Sequence, residues 1–448
     1  MQHHDRYGNP VSSANTRAIA LYDRALDQLN TYRVDPLVAI EQALAEDPSF
    51  VMGHCFKAAL LTTTSEAGAE PGIAQAVAHA EAAGRHANAR ERMHMAAARA
   101  WLGRDFHDAA NRYGDIAVEF PRDLLALQVA HLQDFLLGRA PSLRDRPAQA
   151  LRAWHGDEPG RGYVLGMHAF GLEECGDYTE AEARGRLAVE LEPGDAWAAH
   201  AVAHVYEMQG RIDAGINWLE GTSPGWSEGN SFAYHNWWHL ALHHLERGDH
   251  ARALGVYDGR IRVPGTQVAM ELVDATALLW RLHLRGVDTG SRWTEVADAW
   301  LRLNDNGYYA FNDVHALIAC IGAERRHEAD RILEALVRAA QFGGTNGAMT
   351  HEIGLPVARA LLAFHRGDHA AAIEPLARVR AIAHRFGGSH AQRDLLNLTL
   401  VEAAVRARRT SLARALAAER AALRPNSPFN RELVRRANAL PDTTARAA

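Results

Sequence analysis

Turn residues in this chain return at a near-fixed interval between stretches of helical apolar spacing, and that pattern constrains its fold more than any other feature. From Gly176-Asp177-Tyr178 to the next turn at Gly210-Arg211 is 34 residues. Pro121 and Pro193 close two of the units, with Ala109 and Tyr113 ahead of the first and Ala181 and Ala188 ahead of the second. Between turns, apolar residues recur three or four apart and β-branched alternation is almost absent, which predicts helices throughout. A helical hairpin of this length can bury its apolar face only against a neighbouring hairpin, so three such units in succession imply a stack. Later turns at Gly248-Asp249-His250 and Gly367-Asp368-His369 keep the turn chemistry but drift in length. The expectation is an all-α protein of stacked helical hairpins curled into a superhelix. It would be one repeat domain over residues 17–437, with an N-terminal extension at 1–16 and a tail at 438–448.

Charge and composition exclude several function classes. Lys+Arg 48 against Asp+Glu 54 leaves a formal charge of −6, which offers no global attraction for nucleic acid or an anionic membrane. No uninterrupted apolar run approaches the length of a membrane span. Cys55, Cys175 and Cys320 are far apart and form no CxxC pair, so they read as buried thiols in a reducing cytosol, and a cytoplasmic protein is expected. Phosphate-cradling glycine loops, the GxSxG nucleophile turn and kinase signatures are missing. Lys57 is the sole lysine, which argues against Schiff-base chemistry.

The offsets Ala109, Tyr113 and Pro121 are those of the tetratricopeptide repeat. Several longer stretches carry a more specific likeness: His168-Ala-Phe-Gly-Leu-Glu173, Asp195-Ala-Trp-Ala-Ala-His200 running into Val202-Ala-His204-Val-Tyr-Glu207-Met208, and His235-Asn236-Trp-Trp238-His239. It continues through Phe311-Asn312-Asp313-Val-His315, Gly387-Gly-Ser-His-Ala-Gln392-Arg393-Asp394 and Leu423-Arg-Pro-Asn-Ser427-Pro428. On these the chain resembles the tetratricopeptide repeat protein 38 family, from about Arg17 to Ala437. The resemblance implies a stacked helical-repeat fold and carries no catalytic assignment. In tetratricopeptide units the positions of Trp197, His200, His204 and Glu207 belong to the first helix of a hairpin and look into the concave groove.

The twenty-five histidines are unevenly spread, and many crowd between residues 168 and 250. Residues four apart on a helix lie about 40° apart around its axis, and residues seven apart about 20°. His200, His204 and Glu207 therefore form one stripe, and His235 and His239 a second, with His243 a turn further on. His243 and His244 cannot both point inward. Two imidazoles one turn apart are what a helix offers a divalent metal, so His200, His204, His235 and His239 are the candidate ligands. Glu207, Glu173, Asp313 and His315 are candidate carboxylate or imidazole additions. The same groups suit acid–base catalysis, with His200, His204, His239 and Glu207 as the catalytic candidates and His204 or His239 as base. His200-Ala-Val-Ala-His204 lacks the glutamate of HExxH, which rules out a zincin.

His168 and His235 complete the lining, and Trp197 shares the face of the first stripe, where it can stack on a ligand. Arg393 can bind a ligand carboxylate or an internal acid. Asn312 and Ser389 read as helix caps. Asp274 sits among apolar residues and needs a partner, with Arg281 or a helix end as the options. His94, beside Arg92 and Glu91, reads as solvated. Two function classes follow: a His/Glu/Asp-rich pocket for a small molecule, with acid–base or metal-assisted hydrolase or lyase chemistry, or a non-catalytic scaffold for a partner protein or peptide.

Overall fold

A computed structural model describes residues 3–262, 265–266 and 268–441; the last seven residues of the expected C-terminal tail lie outside them. The fold is all-α, built of stacked helical hairpins of the tetratricopeptide type. Successive helices pack on one another, as Arg161–Glu174 does on Ala140–Ala150 before it and Tyr178–Leu191 after it. A two-stranded antiparallel ribbon, His3–His4 with Pro10–Val11, precedes the first helix, Thr16–Asn30. No helix among the described residues is long and apolar enough to cross a membrane.

The recurring Gly-Asp turn has a specific physical role. Gly248 takes φ 86°, its N–H donates to Leu245, and the Asp249 N–H reaches back to His244 at 2.9 Å. This is the paired hydrogen-bond arrangement that ends a helix in the left-handed region, which glycine enters without a Cβ penalty. The Asp249 carboxylate then accepts from the Arg252 N–H and starts the next helix, so one dipeptide both stops and starts. Gly367-Asp368 repeats it, with Asp368 accepting from Ala371. Arg104, Glu324 and Arg408 make the same turn at φ 62°, 58° and 52° without a glycine.

Small residues set how closely the helices approach. A Cβ on Gly171 would lie 2.3 Å from the Arg144 nitrogen and from the carbonyl of Leu143, all backbone atoms of the preceding helix. Gly171→Ala is therefore expected to cost about 1–3 kcal/mol by overpacking. Gly221→Ala, with nothing within 4 Å of its Cβ, should be neutral or stabilising by up to about 1 kcal/mol. Urea unfolding followed by circular dichroism compares the two, and equal midpoints would refute the close-packing account.

The chain divides into two compact units. The first comprises Met1–Val202 with Gly221–Ala233, and the second Ala203–Glu220 with Tyr234–Ala448. The first contains a buried ionic network. Arg90 reaches Asp5 at 3.0 Å and Asp123 at 2.6 Å, and His94 lies 2.9 Å from the same Asp123 oxygen, with all four side chains wholly buried. His94 is thus a structural partner of Asp123, not the solvated residue its charged neighbours in sequence suggested. Burial pushes against ionisation of Asp123, but Arg90 and His94 overcome it and hold the carboxyl well below its usual range. Asp5 also ties down the N-terminal ribbon, accepting from the backbone N–H groups of Tyr7 and Asn9.

Candidate functional site

Three helices of the second unit position a cluster of imidazoles and carboxylates. His204 and Glu207 come from Ala196–Met208, which runs through the boundary of the two units. His235 and His239 come from Ala233–Arg247, and Asp274 from Ala269–Leu284. Helical spacing brings each pair to one face. His204, His235 and His239 each offer a ring nitrogen, and these atoms lie within 4.8 Å of one another. The rings of His204 and His239 are 4.3 Å apart by centroid, and those of His235 and His239 are 4.9 Å apart at 89°. His204 and His239 are fully buried, and His235 is 4% exposed.

Two carboxylates orient the rings. His239 Nδ1 lies 2.9 Å from Glu207 Oε2, and His235 Nδ1 lies 2.5 Å from Asp274 Oδ2. A carboxylate oxygen is the natural acceptor for Nδ1–H, an arrangement that turns each Nε2 away from its carboxylate. Gln392 donates to the other oxygen of Asp274 at 3.3 Å. His235 stacks on Trp238 at 14°. Burial first, then the neighbouring His204, His235, His243 and Arg281, hold His239 well below the usual imidazole range. The arrangement is a set of buried imidazoles, two of them backed by carboxylates at Nδ1, which suits either metal ligation or proton transfer.

Sequence reasoning paired Asp274 with Arg281 or a helix end; the structure pairs it with His235 and Gln392. Arg281 instead donates to the carbonyls of Ala277 and Ala391. Asn312 is not a cap. Tyr309 holds that position, and the side chain of Asn346, from a later helix, accepts from the Ala310 N–H at 2.8 Å. Asp313 accepts from the Gly307 N–H at 2.9 Å, and burial raises its carboxyl to about 8. His315 bonds the Phe311 carbonyl through Nδ1 at 2.8 Å and is pushed down to about 4, chiefly by burial. Arg393 donates to the Gly388 carbonyl. Ser389 does cap its helix, reciprocally with Gln392.

The remaining candidates belong to the first unit. Trp197 donates through Nε1 to His131 Nε2 at 3.1 Å and packs among Phe170, Phe232 and Tyr32. His200, one turn ahead of His204 on the same helix, stacks on Phe170 at 5.2 Å. His168 is half-buried, and Glu173 is fully buried on the same helix. His131 was missed by sequence reasoning, which looked for histidines four apart; Asp134 follows it at the same three-residue spacing as Glu207 follows His204, and burial lowers His131 to about 3.

No family model matches the chain. Among solved structures it is similar to the APC/C hetero-tetramer Cut9–Hcn1, at TM-score 0.44 and 14% identity over 97% of this chain and 78% of that one. It is also similar to a tetratricopeptide repeat protein from Parabacteroides merdae, at TM-score 0.36 and 15% identity over 62% of this chain and 98% of that one. A third likeness is to the human IFIT1 dimer with m7Gppp-AAAA, at TM-score 0.42 and 12% identity over 98% and 96% of the two chains. These are likenesses of helical-repeat fold.

Proposed function

We propose that the second unit holds a divalent transition metal on His204, His235 and His239, with Glu207 and Asp274 as the carboxylates that orient two of the rings. The observation that carries this reading is the pair of carboxylate–imidazole contacts behind a convergent set of ring nitrogens. Metal-bound histidines almost always give their second nitrogen to such a partner. Zinc would draw nitrogens to about 2.0–2.1 Å from the ion and keep a fourth position for water or substrate. The function that follows is binding of a small molecule at that position, with metal-assisted hydrolysis or lyase chemistry. We further assign the chain to the tetratricopeptide repeat protein 38 family on the six stretches that resemble it.

Without metal, the same two dyads support general acid–base chemistry, since each carboxylate fixes the tautomer of its imidazole. Elemental analysis of untagged protein purified without chelator separates the two. About one equivalent of zinc, iron, cobalt or manganese is expected, lost in His204→Ala and His239→Ala variants that keep the wild-type circular dichroism spectrum. Protein that stays metal-free after loading with each of these ions, or variants that hold metal as the parent does, would overturn the metal site.

A further inference from the structure

A second polar site lies in the same unit, walled by Glu207 but otherwise built from different residues. A cavity of about 40 Å³ is lined by Arg281, Arg285, Arg420 and Arg424 together with Glu207, Glu246 and Asp394. By this measure a water needs about 10–15 Å³, so the space takes roughly three waters, or one small oxyanion.

The charges do not balance. Arg420 is matched to Asp394 by a two-pronged pair at 2.5 and 3.0 Å. Arg285 lies 3.6 Å from Glu246, donates to the Leu245 carbonyl and covers the Phe429 ring. Arg424 donates to Met208 Sδ at 3.0 Å and is 3.9 Å from Glu207, which also accepts from His239. Arg281 is 5% exposed, has only the Ala277 and Ala391 carbonyls as acceptors, and meets no carboxylate within 4 Å among the described residues. His243, at the same wall, is neutral, since burial lowers it to about 4. Four guanidinium groups against three carboxylates leave one positive charge in a buried space, and an uncompensated buried charge is costly unless something pairs with it.

We propose that this cavity binds the carboxylate group of a small ligand, with Arg281 and Arg424 as the recognising pair. A monoanion neutralises the excess charge, whereas a phosphate dianion would overshoot by one, and the planar guanidinium fork matches a carboxylate in geometry. The site stands independently of whether the imidazole cluster holds metal.

The test is thermal unfolding and isothermal calorimetry with sodium acetate, against sodium chloride at matched ionic strength to remove general screening. Acetate is expected to give a saturable rise in Tm that chloride does not, with Kd raised about tenfold or more in Arg281→Met and Arg424→Gln, the loss of one charged hydrogen-bonding partner. Arg424→Gln carries the test if Arg281→Met fails to fold. His235→Ala, at a proposed metal ligand paired with Asp274 and not with Glu207, should keep the response, which separates this cavity from acetate on a metal. Equal effects of acetate and chloride, unchanged binding in the arginine variants, loss of binding only in His235→Ala, or inorganic phosphate binding more tightly than acetate would each overturn the proposal.

Discussion

Arg90→Met is expected to destabilise the first unit by about 3–5 kcal/mol, the usual cost of removing one partner from a buried ion pair. The variant would leave Asp5 and Asp123 wholly buried with no cation between them. Its stability should rise relative to that of the parent as pH falls from neutral. In the parent, Asp123 is held below its unfolded value of about 3.9, so its contribution is complete above that pH and is lost only as pH falls further. In the variant His94 stays beside Asp123, but Asp5 has no cation left and its carboxyl, which burial already raises in the parent, rises further, so the folded state binds protons more readily than the unfolded chain, and stability rises as pH falls from neutral. The gap between the two proteins should be widest near pH 7 and narrow by pH 5. Urea unfolding at three pH values measures it, and a gap that is flat or widens toward pH 5 would show that the network is not electrostatic in origin.

Glu207→Gln and Asp274→Asn should each weaken metal binding by about 10–100-fold without loss of fold, because each replaces the charged acceptor behind an imidazole with a neutral amide that accepts more weakly and can turn its NH2 to the ring instead. Competition with a chelating dye gives the affinity of each variant. A purely structural role for these carboxylates predicts lowered Tm with unchanged metal affinity, and that result would detach them from the site. Glu207→Gln has a second expected effect, since it removes a negative charge from the arginine-lined cavity: acetate should bind there more tightly, whereas Asp274→Asn should leave acetate binding unchanged. The two variants therefore report on both proposals through different readouts.

Where the helical hairpin turns carry Gly-Asp, as at 248–249 and 367–368, the repeat could be read directly, because glycine marks the left-handed residue and aspartate the next cap. The same turn at Arg104, Glu324 and Arg408 left no such mark. The same paired backbone hydrogen bonds hold a left-handed conformation there that the local residue does not favour, so the period was only partly visible. Caps followed the same division. Ser389 and Gln392 are three residues apart and were legible as a local pair, whereas the acceptor for Ala310 comes from Asn346, 36 residues away.

The site divides in a similar way. The pairs His200 with His204 and His235 with His239 lie one helical turn apart, so which faces carry imidazole is a property of the sequence alone, set by the 3.6-residue period. That Asp274 holds His235 across 39 residues, that Glu207 holds His239 across 32, and that Asp123 holds His94 across 29 was decided only by packing between helices. Periodicity specifies direction around one helix axis, but it carries no information about which neighbouring face that direction meets. The sequence determined the helices, their turns and the stripes of titratable side chains; the tertiary structure decided which stripes meet, and burial then decided the charge each group can carry.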